Sequence, residues 1–191
     1  SRKSRGLGDV YKRQGSNVTI NRSNLSDIRM RRLPKNESIP TLDELLEELP
    51  DSFFNMDLKV PNMEEKVLKK IKSHNALDRI CIGSFNSNTI RKINILEPKL
   101  ITSMGLTQVI LYKFFNIKNN SKLIQVPISW NGIKVVTKKF INRLHNDKLK
   151  IHVWTINRET EMQRLIDMGV DGIMTDNAIG LMKIMKKNKL N

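Results

Sequence analysis

From Ile39 onward, short runs of apolar and β-branched residues alternate with stretches whose apolar positions recur every three or four residues. A period of two followed by a period of 3.6 marks a strand followed by a helix, the pattern of βα units around a parallel sheet. Strands are predicted at Asn55–Val60, Arg79–Ser84, Lys99–Thr102, Lys122–Pro127, Lys150–Thr155 and Gly172–Thr175. Helices are predicted near Met63–His74, Asn88–Leu96, Leu106–Asn116, Thr137–Asn146 and Glu159–Met168, with a last one from about Ile179. Three of these helices show one apolar face: Val67, Leu68 and Ile71; Phe140, Ile141 and Leu144; and Met162, Leu165, Ile166 and Gly169. A helix over Thr41–Glu48 precedes the first strand, with Thr41 as N-cap, Glu44 three residues on, and Pro50 as its stop. Strands joined by helical crossovers in this way, about two short of the eight of a closed (β/α)8 barrel, predict an α/β barrel lacking its first units.

Composition sharpens this picture in three places. At 191 residues with 39% apolar content, the chain buries one sizeable core yet falls short of the roughly 250 residues typical of a complete barrel. The opening SRKSRGLGDVYKRQ has neither period, and its Gly-Leu-Gly-Asp-Val-Tyr-Lys-Arg-Gln portion resembles a translated sequencing adapter. Residues 1–14 are therefore set aside as a non-native or disordered segment, leaving 15–191 as the partial barrel domain. Setting aside five basic residues and one acid, a net of four charges, lowers the formal charge from +15 to +11.

The remaining lysines are scattered over helix faces and loops with few aromatics among them, so no nucleic-acid partner is expected. The single cysteine, Cys81, lies in the apolar Ile80–Ile82 run, which excludes a disulfide framework and a cysteine zinc site within the chain. No run approaches the roughly 18 apolar residues of a membrane span. The compartment is left open, because the native start is expected upstream of this chain.

The stretch from Ile151, IHVWTINRETEMQRLIDMGVDGIMTDNAIGLM, carries Trp154, Thr155, Asn157, Met162, Leu165, Gly169, Val170, Asp171, Gly172, Ile173, Thr175 and Asp176. It resembles the last two βα units of the glycerophosphodiester phosphodiesterase family, with Asn177 and Ala178 where that family more often has Arg-Pro. Upstream, IPTLDELLEELPDSFFNMDLKV resembles the family's Pro-Thr-Leu-x-Glu helix and the following strand, with Asp57 and Lys59 at its acidic and lysine positions. Gly83-Ser84-Phe85 and Gln125-Val126-Pro127 followed by Gly132 are weaker matches. The resemblance covers most of Ser26 to Leu181. The family's His-Arg-Gly, Glu-Asn and His-Asp motifs have no counterpart here, and Asn21 to Arg29 resembles the loop after the family's second strand.

The resemblance implies metal-assisted hydrolysis of a glycerophosphodiester, a small-molecule substrate, to glycerol 3-phosphate and an alcohol. It also implies Mg²⁺ or Ca²⁺ as cofactor, and a histidine pair in the missing segment as general acid and base. In the first strand a period of two sets Asn55, Asp57 and Lys59 on one face and Met56, Leu58 and Val60 on the other. The polar face points into the barrel, near the strand end where barrel active sites lie. Asp57 is the expected metal ligand and Lys59 the expected phosphate binder; alternatively the two simply satisfy each other. Trp154 is read as a wall for the alcohol or as a cap on the barrel core, and Gln125 as a further substrate contact.

His152 reads as an interior histidine, and His74 and His145 as exposed or capping residues. Asp171 is expected to bond backbone N–H groups at its turn, and Asp176 to cap a following short helix. The fragment itself is expected to be inactive and aggregation-prone through unpaired strand edges. The alternative function is a non-catalytic barrel that binds a phosphorylated ligand.

Overall fold

The computed structural model describes residues 23–30 and 38–189. The segment 1–14 lies outside them. The chain divides into two compact units, residues 1–50 and 51–191. In the first, α1 (Leu25–Arg29) and α2 (Leu42–Glu48) are described. The predicted start of α2 is observed: the Thr41 side chain accepts from the Glu44 N–H at 3.3 Å while Glu44 Oε2 accepts from the Thr41 N–H at 2.8 Å.

The second unit runs β1 (Phe54–Asp57), α3 (Glu64–Ser73), β2 (Ile80–Gly83), α4 (Ser87–Leu96), β3 (Ile101–Thr102) and α5 (Leu106–Phe115). It continues through β4 (Leu123–Val126), β5 (Ser129–Trp130), β6 (Ile133–Lys134), α6 (Lys138–Asn146), β7 (Lys150–Val153), α7 (Glu159–Asp167), β8 (Gly172–Ile173) and α8 (Ala178–Lys187). Each predicted strand is present but shorter, because the ladder ends where the chain turns into the next helix. The β5–β6 hairpin was not anticipated. Its Asn131-Gly132 turn has φ of 47° and 80°, the left-handed pair that an Asn-Gly hairpin turn requires.

Strands β1, β2 and β3 pair in parallel, as do β4, β7 and β8. A parallel bridge from Ser103 to Leu123 and the Lys122 N–H donating to the Thr102 carbonyl at 3.0 Å join the two groups. In a flat sheet of that order β1 and β4 would stand about 14 Å apart and β1 and β8 about 24 Å apart, at roughly 4.8 Å per strand. Instead Gln125 of β4 donates to Asn55 of β1 at 2.8 Å, and the Asn55 amide lies 3.9 Å from the sulfur of Met174, just past β8. The sheet therefore curls on itself, polar side chains inward, in the manner of a barrel.

The outward positions build the core. Ile82, Ile124, Ile151 and Val153 are fully buried beneath Ile71, Ile90, Ile93, Ile141, Leu144, Met162 and Leu165 of the helices. Of these helix residues, Ile71, Ile141, Leu144, Met162 and Leu165 belong to the apolar faces legible in the sequence; Ile90 and Ile93 are added by the structure. Each such side chain contributes about 1.5–3 kcal/mol on burial, so the alternation that aims polar groups inward is fixed by the packing of its other face.

Candidate active site

At the carboxyl end of β1, Asp57 is in register with Gly83 of β2, and the ladder continues through the Leu58 N–H to the Gly83 carbonyl at 2.9 Å. The Ser84 hydroxyl donates to the Leu58 carbonyl at 2.7 Å and accepts from the Asn86 N–H at 3.2 Å. This stitch holds the chain bearing Lys59 beside the chain bearing Phe85. The Lys59 ammonium contacts the Asp57 carboxylate directly and lies 5.8 Å from the Phe85 ring centroid. With side-chain exposures of 55% and 39%, neither partner is desolvated, so the pair adds little stability and both groups remain open to a ligand.

Phe85 joins this pair to two more rings. Its centroid lies 6.1 Å from Trp154, edge on, and 6.2 Å from Trp130. Trp154 follows β7 and is anchored by its N–H to the Val126 carbonyl at 3.1 Å; the peptide after it is cis. Trp130 rides on the hairpin, whose base is tied down by the Val135 and Val136 N–H groups donating to the Ile128 carbonyl at 2.9 and 3.1 Å. Sequence reasoning did not select Phe85 or Trp130 as site residues. The Asn-Gly turn beside Trp130 was the available signal for the second; for Phe85 the position after a barrel strand was the only one.

Gln125 sits on β4 behind this mouth, bonded to Asn55, and its Oε1 would lie 3.0 Å from a Cβ added to Gly83. In register with Gln125 and Gly172 is His152. Its ring packs so closely on Gly172 that a Cβ there would fall 2.6 Å from Cδ2. Burial pulls the His152 pKa below its ordinary value, and the opposing influence of Asp171 does not restore it, so the ring is neutral near pH 7.

Two further expectations need correction or refinement. Asp171 does bond a backbone N–H, but that of Ile151 on the neighbouring strand at 2.9 Å, together with Lys150 and His145 at 2.8 Å each. Asp176 does not cap the last helix. Asn177 does, accepting from the Gly180 N–H at 3.0 Å, and α8 is 10 residues long. Asp176 is instead held by Asn157, which accepts from the Asp176 N–H at 2.8 Å and the Thr175 hydroxyl at 3.1 Å and donates to the Asp176 carboxylate at 3.1 Å. Trp-Thr-x-Asn and Thr-Asp are thus two halves of one clasp.

Among the described residues no group of three or more His, Cys, Asp or Glu side chains is placed to hold a metal. Asp57, engaged by Lys59, does not form a divalent-cation site with the described residues alone. What the mouth does offer is an ammonium for an anion, a carboxylate beside it, and an aromatic wall.

Residues 7–179 match the family model described as the glycerophosphoryl diester phosphodiesterase family. A Mycobacterium tuberculosis protein named probable glycerophosphodiester phosphodiesterase 2 is 29% identical over 175 residues, 86% of this chain and 66% of that protein. A glycerophosphodiester phosphodiesterase of Caldanaerobacter subterraneus subsp. tengcongensis is 29% identical over 159 residues, 79% of this chain and 63% of its own length. The chain thus spans just under two thirds of these relatives. Among solved structures, an Oleispira antarctica phosphodiesterase in complex with the product sn-glycerol-3-phosphate superposes with a TM-score of 0.71 at 17% identity, covering 88% of this chain and 73% of that one.

Proposed function

This chain belongs to the glycerophosphoryl diester phosphodiesterase family, with its TIM-barrel-like α/β fold, and from that premise we propose that the complete protein hydrolyses glycerophosphodiesters to glycerol 3-phosphate and an alcohol. The observation that carries the reading is the Lys59 ammonium beside Asp57 at the carboxyl end of β1, backed by Phe85. An ammonium in that position binds phosphoryl oxygens and stabilises the charge that builds on them during displacement. Trp154 walls the alcohol, and Gln125, fixed by Asn55, lines the floor beneath the glycerol. We take the curled sheet to be the later strands of an eight-stranded barrel. Asp57 would supply one ligand oxygen to a divalent cation, Mg²⁺ or Ca²⁺, whose remaining ligands, like the histidine acid–base pair, would come from residues outside those described here. On this reading the chain alone has no turnover.

The test is glycerol 3-phosphate release from glycerophosphocholine by the complete protein, followed by a coupled dehydrogenase, with and without chelator. Lys59→Ala is expected to lower kcat/KM by at least about 100-fold, the loss of a charge-assisted contact worth about 3 kcal/mol. Absence of release by the complete protein, with tight binding of glycerol 3-phosphate retained, would instead favour a non-catalytic phosphate-binding barrel. The lack of a metal-holding cluster among the described residues is the one observation on that side.

A further inference from the structure

Helix α5 turns an apolar face to solvent. Its inner side is carried by the buried Val109 and Tyr112, while Ile110 and Phe114, four residues apart and so on one face, are both exposed. The chain continues that surface past the helix. Phe114, Phe115 and Ile117 are 56%, 69% and 51% exposed, three large apolar side chains within four positions, which is the informative departure from ordinary surface composition. They stand on fixed backbone. Asn116 ends the helix in the left-handed region at φ 55°, and the Asn116 and Ile117 N–H groups donate to the Tyr112 and Leu111 carbonyls at 3.0 and 3.3 Å. Lys118 is then tied to Asp147 at 2.7 Å, and Asn119 accepts from the Ser121 N–H at 2.8 Å before the chain enters β4.

A further βα unit is not what covers this face. Strand β3, which leads into α5, is paired on both sides, with β2 in register and with β4 through the Ser103 to Leu123 bridge, so another strand can join the described sheet only beside β1 or β8. On its flanks α5 already meets α4, whose Ser87 hydroxyl accepts the Thr107 N–H at 3.1 Å, and α6, whose Arg143 guanidinium donates to the Lys113 carbonyl at 2.7 Å. The charge around the face selects its occupant. Lys113, Lys118, Lys122 and Arg143 lie on α5, on the connection to β4 and on α6, and among the described residues Asp147 is the one carboxylate that pairs with any of them. A second copy of the chain, at +15, would set like charge against like. A layer that is anionic outside and apolar beneath matches both features, because the cations meet headgroups while the rings enter the acyl boundary. We propose that the carboxyl end of α5 and its connection to β4 form a peripheral docking surface for an anionic lipid bilayer. The connection enters β4 at its amino end, so docking leaves the mouth, at the carboxyl ends of the strands, turned to water.

Vesicle flotation of the 191-residue chain at low protein concentration tests this. Vesicles of phosphatidylcholine with phosphatidylserine are expected to bind it at least about tenfold tighter than phosphatidylcholine alone, and less tightly as salt is raised. Phe114→Ser and Phe115→Ser should each weaken that binding at least about fivefold and Lys122→Gln about fivefold. Ile179→Ser, which removes an equally exposed apolar side chain from α8, should leave it unchanged. Orientation gives a second readout, because both native tryptophans stand at the mouth. Lipids brominated in the acyl chain should leave their emission unaltered and quench the new emission of Phe115→Trp. Equal binding to the two vesicle types, a loss in Ile179→Ser matching that in Phe115→Ser, or quenching of the native tryptophans alone would overturn the proposal. So would binding to soluble polyglutamate as tight as to the anionic vesicles, which would point to an acidic protein partner. Self-association in sedimentation that Phe115→Ser abolishes would also overturn it, by assigning the face to a second copy of the chain.

Discussion

Asp171 closes the end of the sheet opposite the mouth, and replacing it tests how β7 and β8 are held in register. Its carboxylate accepts the Ile151 N–H at 2.9 Å, while its own N–H donates to the Ile151 carbonyl at 3.0 Å. A hydrogen bond to a charged group contributes about 1.5–3 kcal/mol. The side chain is 15% exposed, but its side-chain partners Lys150 and His145 are 67% and 39% exposed, so those contacts add only about 0.2–1 kcal/mol each. Asp171→Ala removes all three and leaves the Ile151 N–H unpartnered, for an expected loss of about 2–4 kcal/mol. Asp171→Asn keeps one acceptor and should cost about half as much.

Acid provides a second readout. Burial, the largest single influence, works to raise the Asp171 pKa, but hydrogen bonds from Lys150, the Ile151 N–H and His145 together outweigh it and hold the carboxyl below its ordinary range. A carboxyl held low in the folded state contributes stability that is complete above its unfolded pKa of about 3.9 and is lost as pH falls through the folded value. Urea unfolding at low protein concentration, followed by tryptophan emission, should show the Asp171→Ala midpoint displaced by about 1–2 M at pH 7 for a slope near 2 kcal/mol/M. That gap should persist down to about pH 4 and narrow below it. A variant within about 0.5 kcal/mol of wild type at pH 7, or a gap that does not narrow in acid, would refute the reasoning.

Three other outcomes follow from contacts already described. Gly172→Ala drives a methyl group to within 2.6 Å of the His152 ring; a loss of about 1–3 kcal/mol in thermal or urea unfolding is expected. Burial pushes the Cys81 thiol up to about 11, so iodoacetamide at pH 8 should alkylate the folded chain about two orders of magnitude more slowly than the unfolded one. Asn157→Ala opens the clasp around Asp176, and amide hydrogen exchange should show the Asp176 N–H losing protection while the β4 and β7 amides keep theirs.

Residues whose role is set by local period were legible in the sequence. The apolar positions of α3, α6 and α7, the capping box of α2 and the inward face carrying Asn55, Asp57 and Lys59 all follow from a 3.6- or two-residue repeat and from one side-chain reach. What was not legible depends on which strand ends meet. Phe85, Trp130 and Trp154 are separated by 45 and 24 residues and touch only because the sheet curls. The β5–β6 hairpin has two residues per strand, too short for a period to show. Asp176 and Asn177 are both plausible caps by type; the choice fell to Asn177 because Asn157, far off in sequence, claims the other.

The Asn157 clasp also makes the last two strand ends a single mechanical part. Its side chain grips Thr175 and Asp176, and its carbonyl accepts from the Asn177 amide at 3.5 Å, the same side chain that caps α8. One residue thus fastens the loop after β7, the end of β8 and, through the Asn177 cap, the first turn of α8, so losing its grip would release three segments at once.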